Sequence, residues 1–138
     1  MPIHRILSSA STIVLLLLAG CTTSSRDNHL EWTKTTSPGK PVLLGWYYQV
    51  APDCTFLAPP SVQILSGPAH GATKIEQTKV YPSFKPGNVR YKCNSILGDG
   101  VTVYYTPSPG FIGEDQVEIR SSASDGEISE MTVRIDVK

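Results

Sequence analysis

The twenty residues Val101–Arg120 constrain the fold more than any other stretch of this sequence. Val101, Val103 and Tyr105 alternate with Thr102, Tyr104 and Thr106, the period of two that marks a half-buried strand. Pro107, Pro109 and Gly110 then interrupt it, because proline offers no N–H to a sheet ladder and glycine tolerates positive φ. Beyond the corner Val117 and Ile119 resume the alternation against Glu118 and Arg120. A chain that repeats strand, Pro/Gly corner and strand buries its apolar faces as packed sheets, and eleven Gly and eleven Pro point the same way.

The flanking sequence supplies the other strands. Pro41 to Val50 reads as a long first strand, with Val42, Leu44, Trp46, Tyr48 and Val50 on one face and Leu43, Gly45, Tyr47 and Gln49 on the other. Val62 and Ile64 mark a second strand, closed by Ser66-Gly67-Pro68, and Gly71 to Val80 a third around Thr73 and Ile75. Tyr81 to Asn88 is a loop. Val89, Tyr91 and Cys93 alternate with Arg90 and Lys92 as a fourth strand, and Gly98-Asp99-Gly100 reads as a turn. Two more strands flank the corner. Asp125-Gly126 is a hairpin signal before Met131, Val133, Ile135 and Val137. Seven short strands with turn signals between them predict an all-β, two-sheet sandwich over residues 41–138, one domain with no internal repeat. The zero formal net charge argues against general nucleic-acid binding.

At the corner, Val103-x-Tyr105-x-Pro107-x-Pro109-Gly110-Phe111-x-Gly113-x-Asp115-x-Val117 resembles the repeats of bacterial immunoglobulin-like and cadherin-like domains, and Asp125-Gly126 with the last strand resembles the way such repeats end. The resemblance covers roughly the last 40 residues and implies an immunoglobulin-like sandwich, a fold shared by many surface and adhesion proteins and silent on activity. This chain differs in having one domain and not a tandem array, and in carrying a cysteine pair that most such repeats lack. Cadherin-like domains hold calcium with acids at domain ends, but no D-x-D-x-D-type loop is present here, so Asp115 reads first as a cap on backbone donors near the corner, with calcium as the alternative.

Residues 1–20 read as a secretory signal. His4 and Arg5 form a basic n-region, and Ile13–Leu18 is an apolar run too short to span a bilayer. Leu18-Ala19-Gly20-Cys21 resembles the lipobox of bacterial lipoproteins, which implies cleavage before Cys21 and its lipidation. With Thr22 and not aspartate next, the resemblance implies the outer membrane of a cell envelope, facing the periplasm or the surface. The polar stretch 21–40 then reads as a flexible tether. Leu30 and Trp32 are its apolar exceptions: a short strand docked on the domain edge, or a lipid-facing spot, docking being the simpler account.

Cys54 and Cys93 remain as the other cysteines, and a pair in an exported domain is read as a disulfide. His70, in Pro68-Ala-His-Gly71, reads as a turn histidine, and Asp53 as a turn acid. Neither a G-x-S-x-G elbow nor an H-E-x-x-H motif is present, so no enzyme and no cofactor is expected. Two functions stand after this reading. The first is a lipid-anchored, non-enzymatic interaction or structural module whose partner is an envelope protein or polysaccharide. The second is a periplasmic small-ligand or metal binder using the Asp53, His70 and Asp115 regions.

Overall fold

A computed structural model describes residues 29–138. In chain order the strands are β1 (His29–Thr36), β2 (Val42–Tyr47), β3 (Ser61–Ser66), β4 (Gly71–Val80), β5 (Gly98–Pro107), β6 (Gly113–Ser122) and β7 (Ile128–Val137), with a 3-10 helix at Tyr91–Ser95. They form two sheets, β1-β7-β6-β3 and β2-β5-β4. The protein is therefore all-β, an immunoglobulin-like two-sheet sandwich of seven strands. Every ladder is antiparallel except β1 with β7, whose parallel pairing runs from His29↔Glu130 to Thr36↔Val137.

The alternation seen in the sequence fills the space between the sheets. From β5 come Val101, Val103 and Tyr105, from β6 Val117 and Ile119, and from β7 Val133, Ile135 and Val137, all buried. Phe111 packs against this core from the corner, and Val62 and Ile64 from β3. The corner forms a tight turn in which Phe111 N–H donates to the Ser108 carbonyl at 3.1 Å. Pro109 and Gly110 are its central residues, and Gly110 has φ +77°, the combination a type II turn requires. Gly113 follows at φ +143°, and a side chain there would also press on the Phe111 ring.

Four expectations need correction. The folded body reaches back at least to residue 29, not 41: β1 lies within the stretch read as tether, and Leu30 and Trp32 belong to a short strand docked on β7, the simpler of the two accounts given for them. That pairing supplies β1 with ladder partners its own polar sequence does not advertise. Val89–Cys93 is not a strand. Its alternation is short, and backbone bonds such as Cys93 N–H to the Arg90 carbonyl close it into 3-10 turns. Gly98-Asp99-Gly100 is not a turn but the start of β5, where the two glycines allow the Phe56 ring and the Val80 side chain to lie directly on the strand. Finally β2 does not keep one face. A bulge falls between Leu43 and Gly45 in its register with β5, so Leu44 is buried while Trp46 turns outward and Tyr47 packs on the core.

Candidate functional site

Two places concentrate chemistry. At one end of the sandwich two connections cross between the sheets, β3 to β4 and β5 to β6, and Asp115 ties them together. Its Oδ1 accepts the Ala69 N–H at 2.8 Å and the Gln116 N–H at 2.9 Å. Its Oδ2 accepts the His70 N–H at 2.8 Å and the Tyr105 hydroxyl at 2.9 Å. Tyr105 stands on β5 and Asp115 on β6, so their bond joins the two sheets across the core. Burial pushes the Asp115 carboxyl up, but the backbone donors of Ala69, His70 and Gln116, with the Tyr105 hydroxyl, outweigh it and hold the group below the usual carboxylate range. Burial, and then the bond to Asp115, pushes the Tyr105 phenol well up. All four groups around the carboxylate are donors, an environment of the wrong polarity for a cation.

The residues singled out from the sequence thus divide. Tyr105, Pro107, Pro109, Gly110, Phe111, Gly113 and Asp115 do converge, and His70 joins them by its backbone and by stacking on Phe111 at 4.3 Å between ring centroids. Asp53 does not: it is exposed and accepts the Thr55 N–H at 3.0 Å, which holds its carboxyl low. Next to it Cys54 takes φ +71° in the turn that brings Val50 opposite Phe56, and bonds to buried Cys93. This disulfide, 39 residues apart in sequence, pins the β2–β3 connection to the 3-10 helix; a loop of that size contributes about 4 kcal/mol in the chain-entropy model. Among the described residues no group of three or more His, Cys, Asp or Glu could hold a metal ion, and no helix is long and apolar enough to cross a membrane. Cys21 and the expected signal lie outside the described residues.

The second place was not legible in the sequence. Where edge strands β1 and β2 flank the opening between the sheets, a groove of about 240 Å³ is lined by Trp32, Trp46, Tyr48 and Met131, together with Leu44, Gly45, Tyr47 and Ser83. Trp32 stands beside core residue Val133 on β7, yet half its surface is exposed. The Lys34 ammonium lies over the Trp32 ring, 5.8 Å from its centroid. Tyr48 accepts the Ser83 N–H on its hydroxyl at 2.7 Å and meets Phe84 edge-on. The Tyr47 hydroxyl differs from these: it is buried and has no hydrogen-bond partner among the described residues. Burial pushes its pKa up to about 12. One signal was present, since the two tryptophans of the chain are both here, but the Leu44 bulge hid which side of β2 each aromatic faces.

No family model matches the chain, and no curated protein does. Among solved structures it is similar to one described as the solution structure of amebosin, at 14% identity over 80% of this chain and 98% of that one, with a TM-score of 0.40. At that level the likeness carries no argument about fold or function.

Proposed function

We propose that this protein is a lipid-anchored, non-enzymatic module of a bacterial cell envelope that works by binding a partner, an envelope protein or polysaccharide, through its β1–β2 edge. One observation carries the reading. The converging polar residues at the corner spend their hydrogen bonds on one another, whereas the aromatic groove beside β1 and β2 stays open with Trp32 and Trp46 exposed. Exposed aromatic residues beside an edge strand are what interfaces favour, because they offer large contact area at low conformational cost. The similarity of the corner motif to bacterial immunoglobulin-like and cadherin-like repeats supports the same class, and the lipobox-like Leu18–Cys21 supports the anchor and the outer-membrane location. Several acyl chains on Cys21 would hold the module firmly, since two lipid signals already give stable attachment.

Two experiments test the reading. Cys21→Ser is expected to move the protein out of the membrane fraction and to abolish acyl labelling; unchanged partition and labelling would remove the anchor. A photo-cross-linking residue at Trp46 is expected to give adducts in intact envelopes. The same residue at Lys79, on the far edge strand β4, is expected to give none. Equal yields from both positions would remove the β1–β2 edge as the contact surface.

A further inference from the structure

The two ends of the sandwich differ in what they expose. Tyr105 near the end of β5 bonds Asp115 near the start of β6, so the corner marks one end, and β5 starts and β6 finishes at the other. That second end carries the β2–β3 and β4–β5 connections and the β6–β7 hairpin. It also carries the start of β1, because β1 runs parallel to β7 with His29 opposite Glu130. The β4–β5 connection, residues 81–97, holds five exposed apolar side chains: Tyr81, Val89, Tyr91, Ile96 and Leu97. Among the described residues, the connections at the corner end expose one large apolar side chain, Ile112.

The β4–β5 connection is also pinned. The Cys54–Cys93 disulfide ties it to the β2–β3 connection. Asn94 holds Phe84 from both sides, accepting its N–H at 2.9 Å and donating to its carbonyl at 3.0 Å. The Arg90 Nε–H donates to the Val50 carbonyl at 2.7 Å. A segment fixed this way loses little freedom when it docks, and apolar side chains kept outside on such a segment mark a contact surface. Its charge narrows the partner. The segment carries Lys85, Arg90 and Lys92 and no acid. Asp53, beside Cys54, lies near Lys92 and offsets one of the three cations. A surface both cationic and apolar suits a partner that is anionic outside and apolar beneath, as a phospholipid bilayer is.

Chain length places that partner. Cys21 precedes His29 by eight residues, and an extended chain covers roughly 3.3–3.6 Å per residue, so the link reaches at most roughly 26–29 Å. The ten residues of β7 span roughly 33 Å. With Cys21 in a bilayer, the end where β1 starts is within reach of the headgroups, and the link is too short to bring the corner end down in its place. The β4–β5 connection adjoins β1 there, since Ser83 and Trp32 line one groove.

We propose that the β4–β5 connection seats the protein on an anionic phospholipid bilayer, with its exposed apolar side chains at the headgroup–acyl boundary and Lys85 and Lys92 among the lipid phosphates. The strands then stand up from the bilayer and the β1–β2 edge is presented sideways. The inference rests on the lipid anchor at Cys21.

The acylated full-length protein is reconstituted into vesicles of phosphatidylethanolamine and phosphatidylglycerol, with a photo-cross-linking residue in place of Val89, Leu97 or Ile112. Val89 is 68% exposed and Ile112 70%, so exposure alone would label both equally. Lipid adducts from Val89 and Leu97, and none from Ile112, are expected by mass spectrometry. With Lys85→Gln and Lys92→Gln together, or in vesicles of phosphatidylcholine alone, the lipid yield at Val89 is expected to fall about fivefold or more, since one cation near an anionic surface is worth about fivefold. Equal lipid yields at Val89 and Ile112 would overturn the proposal, and a yield indifferent to lipid charge would overturn the assignment to an anionic surface. Adducts joining Val89 to a second copy of the chain would give the face to self-association and overturn it as well. No lipid adduct from Val89 or Leu97 in protein that stays on the vesicles would overturn the seating and leave the anchor standing. Protein that leaves the vesicles would remove the anchor and the seating together.

Discussion

Replacing Tyr105 tests whether the corner organises the sandwich. Its side chain is fully buried among β5, β6 and β7 residues, and its hydroxyl reaches Asp115 at 2.9 Å. Tyr105→Ala removes the ring and the bond, and truncations of large buried aromatics cost about 3–5 kcal/mol. Tyr105→Phe separates the two contributions. It leaves no cavity and removes one hydrogen bond to a charged acceptor, about 1.5–3 kcal/mol. Asp115 keeps its three backbone donors, so the lower end, roughly 1.5 kcal/mol, is expected here. Lys79→Ala is the control: its ion pair with Asp99 is exposed on both sides and should be worth less than about 0.5 kcal/mol. Urea unfolding of residues 29–138, which carry all seven strands, reads these differences. With a slope of about 2 kcal/mol per M, Tyr105→Ala should lower the midpoint by about 2 M and Tyr105→Phe by less than about 1 M. Equal midpoints for Tyr105→Ala and Lys79→Ala would refute the reasoning. Equal losses for the Ala and Phe variants would place the whole effect in the hydroxyl and none in ring packing.

Three further outcomes follow from the same geometry. Tyr47→Phe should raise stability by about 1 kcal/mol, because it removes a buried hydroxyl that has no partner; a lower thermal midpoint would mean that the hydroxyl is satisfied in solution. The Asp115 carboxyl is held low in the folded state, so its contribution is present above the unfolded carboxylate pKa of about 3.9 and is lost as pH falls through the folded value. Stability should accordingly decline below about pH 4, and Asp115→Asn should flatten that decline in pH-dependent urea melts. Removing β1, as in residues 41–138, should lower the urea midpoint and promote self-association visible by size exclusion. It turns β7 into an open edge and uncovers Met131; an unchanged, monomeric fragment would contradict the docking of β1.

Much of this fold could be read without coordinates, because the signals that carry it are local. The alternation of Val101–Tyr105 and Met131–Val137, the Pro109-Gly110 turn and the Asp125-Gly126 hairpin act within a few residues, and each forms where its chemistry stands. The disulfide was legible too, because Cys54 and Cys93 are the two cysteines outside the signal-like stretch. Tertiary structure decided the rest. The strand character of His29–Thr36 comes from β7, about a hundred residues away, and not from its own polar sequence. Local backbone bonds override the short alternation at Val89–Cys93. The donors that satisfy Asp115 come from Ala69 and His70, 46 and 45 positions earlier, so the sequence could name a cap but not what it capped. The aromatic groove was hidden for a related reason. One extra residue at the Leu44 bulge exchanges the faces of β2, and with a period of two a single-residue slip reverses which aromatics meet the core and which face outward.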